Sequence, residues 1–124
     1  MFYRLFRRFT FLALYLWASS GSTHHSHGNY DLSHYIDMEG TVTEVHWMNP
    51  HTWIYIEVTD ESNSPTIWAL EGGGINALTN RGWTQNSVQV GDSISVRCHP
   101  LKAGTPACLF GFLRTADGTE GEYD

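Results

Sequence analysis

The stretch G-T-V-T-E-V-H-W-M-N-P-H-T-W-I-Y-I-E-V-T, residues 40–59, decides the fold. Val42 and Val45 lie among threonines in a run that reads as a strand, and T-W-I-Y-I-E-V-T (52–59) alternates strictly. Period-two alternation puts Ile54, Ile56 and Val58 on one face and Trp53, Tyr55 and Glu57 on the other, with the aliphatic face toward a core. Asn49-Pro50 interrupts the run, because proline cannot donate to a strand ladder and Asn tolerates turn geometry. Two strands joined by a proline turn are therefore predicted.

Working outward, D-E-S-N-S-P (60–65) is turn material and T-I-W-A-L-E (66–71) is a third strand. Gly72-Gly73-Gly74 ends that strand, and I-N-A-L-T-N-R (75–81) has the spacing of a two-turn helix stopped by Gly82. Trp83 is expected behind this helix. S-I-S-V-R-C (93–98) is a fourth strand, and C-L-F-G-F-L-R-T (108–115) a fifth, before a D-G turn. Five short strands with one short helix between the third and fourth match the element order of an all-β, OB-like barrel; an open β-sandwich is the competing closure. The chain divides into a segment 1–20 read as a signal peptide, a His-rich arm 21–37, the barrel 38–116 and an acidic tail 117–124.

The signal-peptide reading rests on Arg4, Arg7 and Arg8, the apolar run Phe9–Trp17, and the small residues from Ala18 to Thr23. That apolar run is about half the length a bilayer requires, so stable membrane insertion is not expected. Ala18 and Ser20 fit a cut after Ser20, and a cut as late as Thr23 also fits. Removing residues 1–23 leaves four basic side chains against thirteen acidic ones, a net charge of −9. Such a domain repels phosphate backbones, which excludes nucleic acid as a partner. Metal cations, or another exported protein, are the expected partners, in the periplasm or outside the cell.

Export gives the two cysteines a meaning. Cys98 and Cys108 flank H-P-L-K-A-G-T-P-A and can bridge in an oxidising compartment. Closing a loop of that size contributes about 3 kcal/mol in the chain-entropy account. Free thiols, or metal ligation with His99, remain open alternatives.

Seven histidines carry what chemistry is legible. His24, His25 and His27 lie within four residues, and imidazole suits copper and zinc. A cut before His24 would add a free α-amine and leave a small copper-dependent redox enzyme conceivable; a polar tail is the plain alternative. His46 and His51 flank the Asn-Pro turn together with Met48, and a thioether beside imidazoles favours Cu(I) over zinc. Trp47, Trp53 and Trp68 are expected to wall a cleft or a ligand-binding face. No phosphate loop, nucleophile elbow or HExxH is present. Glu71 before the three glycines offers a weak suggestion of a ligand loop.

The blocks His24-His25-Ser26, G-T-V-T-E-V-H-W-M-N-P-H (40–51), W-A-L-E-G-G (68–73), N-A-L-T-N-R-G-W (76–83), V-G-D-S-I-S-V (90–96) and H-P-L-K-A-G (99–104) resemble an uncharacterised family of small exported bacterial proteins. The resemblance implies a periplasmic β-barrel-like domain and no established activity. In that family Ala usually precedes the two histidines, where this chain has Thr23, and the Cys pair is usually missing. A weaker likeness, of residue types and not of spacing, is to periplasmic copper chaperones that use His, Met and Trp. The expectation is a non-enzymatic, exported, copper-binding protein, with a Trp-faced binding module as the alternative.

Overall fold

The computed structural model describes residues 27–124. The strands are β1 (Ile36–His46), β2 (Trp53–Thr59), β3 (Pro65–Glu71), β4 (Ser93–Pro100), β5 (Ala107–Arg114) and β6 (Glu120–Glu122), with helix α1 (Ile75–Asn80) between β3 and β4. They hydrogen-bond in the order β3-β2-β1-β4-β5-β6, and a parallel pairing of β3 with β5 closes the first five into a barrel. The OB-like barrel is thus the architecture, and the open sandwich is excluded.

Closure depends on β1, which is long enough to serve two partners. Its first half, Ile36–Thr41, pairs with β4, and its second half, Thr41–His46, pairs with β2. Gly40 sits at the crossover, where a Cβ would lie 2.6 Å from the Glu57 carbonyl oxygen. Glycine is the residue that permits that approach.

Ile54 and Ile56 of β2 are fully buried, as their alternation predicts, and join Val42, Leu70, Ile94, Val96 and Phe110 inside the barrel. Each such side chain contributes about 1.5–3 kcal/mol through removal from water. Leu78 of α1 and Trp83 are also buried in this core. The helix begins where it does because Asn49 Oδ1 accepts from the Ile75 N–H at 2.9 Å. The Asn-Pro turn, whose peptide bond is cis, therefore caps a helix 26 residues away in sequence. Cys98 and Cys108 are joined in a disulfide linking β4 and β5, both wholly buried.

Two segments read as lying outside the barrel take part in it. In the stretch assigned to an arm, Tyr30 is buried and bridges to Leu101, and β1 begins at Ile36 instead of Met38. In the stretch assigned to an acidic tail, β6 pairs with β5 and Tyr123 is buried. Neither segment has the apolar periodicity that marks a strand, because each buries a single tyrosine. His24, His25 and the segment 1–20 lie outside the described residues. Among the described residues no helix is long and apolar enough to cross a membrane.

Candidate functional site

At one end of β3 the sheet presents a buried carboxylate. Leu70 points into the core, so the pleat turns Glu71 to the opposite face, yet Glu71 is only 4% exposed. Tyr30 is one reason: its hydroxyl donates to Glu71 Oε2 at 2.6 Å. Burial, the bond to Glu71 and the charge of Glu71 together push the Tyr30 phenol far above its ordinary ionisation range. The other oxygen, Oε1, lies 3.2 Å from His51 Nδ1.

The same His51 Nδ1 donates to the Gly72 carbonyl oxygen at 3.3 Å. A carbonyl oxygen can only accept, so Nδ1 carries a proton, and Nε2 is the ring nitrogen left to act as a ligand. The loop that places His51 is built for the purpose. Thr52 N–H donates to Gly73 and Gly72 N–H donates to Thr52, locking the residue after His51 onto the glycine run. The Thr52 hydroxyl, wholly buried, has no hydrogen-bond partner among the described residues. Gly74 accepts no side chain, since a Cβ would lie 2.7 Å from the Pro50 carbonyl oxygen.

Two further residues complete the cluster. The backbone of 120–124 is tied down by Trp83, whose indole N–H donates to the Glu122 carbonyl at 2.7 Å, and by Gly73, whose N–H donates to Tyr123 at 2.9 Å. This brings in Asp124, half-buried, with His27 Nε2 3.8 Å from its carboxylate. Burial pushes the Asp124 carboxyl above its usual range; His27 opposes that, Glu71 adds to it, and His51 and Arg81 oppose it further.

The expected His46–Met48–His51 trio does not assemble. His46 pairs with Glu44 and tilts against Tyr55, while Met48 is 47% exposed and His51 turns to Glu71. A turn that reverses the chain and caps α1 sends its two flanking histidines to different neighbours. The tryptophans do not share a face either. Trp68 stands opposite Ile56, a core residue, and packs against the core, whereas Trp53 stands opposite Glu71 on the other face. Trp47 is half-buried against the core. Among the described residues no group of three or more His, Cys, Asp or Glu is arranged to hold a metal ion.

Two clefts accompany the cluster. The larger, about 800 Å³, lies along β1, β4, β5 and β6; four of its charged groups are paired, Asp37 with Arg97 and Arg114 with Glu120, and Glu39 accepts from the Ser95 hydroxyl. The smaller, about 360 Å³, adjoins His27 and Asp124.

Sequence reasoning missed Tyr30, Tyr123 and Asp124. All three act through contacts more than forty residues away in sequence, and a lone tyrosine in a polar segment signals nothing by itself. Glu71 was visible only as a charge ending an apolar strand next to three glycines.

The fold and the cluster define a small OB-like barrel with a buried carboxylate–imidazole pair at one end. A family of unknown function (DUF6152) matches residues 13–110, and the chain belongs to that family. No curated protein and no solved structure matches the chain.

Proposed function

We propose that the protein is exported and binds a metal ion, copper in preference to zinc, without catalysing a reaction. His51 supplies the ligand from the barrel, and His24 and His25 supply those from the preceding segment. The observation that carries this reading is the fixation of His51: Nδ1 is held by Gly72 and by Glu71, itself held by Tyr30, so that Nε2 is the nitrogen oriented to act as a ligand. A metal-binding imidazole is characteristically held by a carboxylate or carbonyl on its other nitrogen, which fixes the tautomer and raises ligand basicity. His27 lies against Asp124, which feels the charge of His51. His25 and His24 precede His27 by two and three residues, a chain reach of at most about 7 and 11 Å. The disulfide supports export, since such bonds persist in oxidising compartments.

Titration of the exported protein with Cu(II), followed by native mass spectrometry and by nitrogen hyperfine structure in electron paramagnetic resonance, tests the reading. One equivalent should bind, and His51→Ala should weaken it by tenfold or more while His46→Ala does not. Equal affinity in wild type and His51→Ala would overturn it. The denatured mass of the same sample reports the N-terminus, and a chain retaining residues 1–20 would overturn export by cleavage.

A further inference from the structure

The 360 Å³ cleft shares His27 and Asp124 with the reading above, but the rest of its lining has a chemistry of its own. One side is apolar. Leu32, Tyr35 and Phe112 are 53%, 47% and 45% exposed, so three large side chains face one opening. Tyr35 is seated firmly: its ring occupies the space a side chain at Gly111 would need, with Cε1 2.7 Å from that Cβ position, and it stacks on His99 at 4.0 Å. His99 is fixed in turn, because Nδ1 donates to the His34 carbonyl at 2.8 Å. That bond fixes the plane of the imidazole on which Tyr35 stacks.

The other side carries Glu122 and Asp124. Among the described residues Arg81, 3.5 Å from Glu122, is the one permanent cation paired there, and His27 lies 3.8 Å from Asp124, so two carboxylates face one full positive charge and one imidazole. A stacked aromatic platform opposite excess negative charge, in a cleft of ligand-binding size, selects for a flat apolar body bearing a cation. An anionic ligand would meet both carboxylates.

We propose that this cleft binds a small aromatic amine, its ring against Tyr35 and Phe112 and its ammonium toward Glu122 and Asp124. His51 does not line this cleft, and amine binding is read separately from metal binding, so failure of one reading is distinguishable from failure of the other.

The test uses the full chain, with amide chemical-shift titrations against phenethylamine and tryptamine and with phenylacetate as the charge-reversed probe. Both amines should saturate, with shifts concentrated at Leu32, Tyr35, Gly111 and Phe112, and phenylacetate should not. Phe112→Ala, at a half-exposed position, should weaken amine binding at least tenfold. Glu122→Gln should weaken it several-fold, and His46→Ala, at a residue paired with Glu44 outside this cleft, should leave it unchanged. Phenylacetate binding as tightly as phenethylamine would overturn the proposal, as would amine binding indifferent to Phe112→Ala. A concentration-dependent dimer in sedimentation that Phe112→Ala abolishes would assign the face to a second copy, and overturns it equally.

Discussion

Asp37 and Glu71 are both strand carboxylates that meet a basic side chain from elsewhere in the chain, and they are held in opposite ways. Asp37 takes two bonds from Arg97, at 2.8 and 3.2 Å, with both side chains more than half exposed. Glu71 takes a hydroxyl from Tyr30 on one oxygen and faces His51 on the other, with almost no exposure. Water can replace every contact of Asp37, so that pair is independent of its surroundings. Water can replace none of those around Glu71, so Tyr30, His51, the glycine run and the segment 120–124 depend on one another. Exposed pairs decorate the sheet, whereas the buried cluster sets the shape of one barrel end.

The dependence is sharpest at Gly72. A Cβ there would lie 2.7 Å from the Tyr123 carbonyl oxygen and 2.8 Å from Tyr123 Cδ1. The first of these is backbone, so the 120–124 segment must shift. Gly72→Ala is expected to cost about 3 kcal/mol, the upper range for overpacking, in urea unfolding. Loss of the Trp83–Glu122 bond should show as a shifted indole N–H resonance. A variant as stable as wild type would mean that Tyr123 is not needed to close this end.

Tyr30→Phe probes the same cluster without changing its volume. Removing a hydrogen bond to a charged acceptor is expected to cost about 2 kcal/mol at pH 7. The pH dependence identifies the cause. The folded phenol ionises well above the ordinary value of 10.0, so the unfolded chain loses its proton first as pH rises. Stability that Tyr30 contributes is fully present below pH 10 and declines above it. The gap between wild type and Tyr30→Phe should therefore narrow in alkali, and a gap that is constant up to pH 11 would assign the loss to packing instead of to the hydroxyl.

The barrel was legible from sequence because its signals are local. Alternation at 52–59, proline and glycine breaks, and the I-N-A-L-T-N-R spacing each depend on a few neighbouring residues, and the first five strands and the helix fall within two residues of those readings, whereas β6 carries no such signal. The site was legible only in fragments. His51 stood out by residue type, but the glutamate that holds it and the tyrosine that holds the glutamate lie 20 and 21 residues to either side. A spacing of that kind has no period. The Asn-Pro-His and Arg-Gly-Trp blocks are specific for the same reason: Asn49 caps α1, and Trp83 clamps the segment at Glu122. Alternation within a strand does not tell where Trp53 and Trp68 stand relative to each other, because only the β2–β3 register sets them on opposite faces.

Arg97→Ala supplies the smallest effect and the cleanest contrast. The guanidinium beside Asp37 holds that carboxyl below its ordinary value of 3.8. Any stability from the pair is therefore present above that value and lost as pH falls below it. With both groups in water, side-chain ordering and salt screening offset the attraction. The unfolding midpoint at pH 7 and physiological salt should not move on substitution, while the Asp37 carboxyl, followed by carbon-detected titration, should rise toward 3.8. A shift in titration without a shift in midpoint would establish that the interaction is real and that burial, not pairing, is what makes the Glu71 cluster structural. A midpoint that falls as far as in Tyr30→Phe would instead place the β1–β4 face under the same mutual dependence, and exposure would no longer separate the two regions.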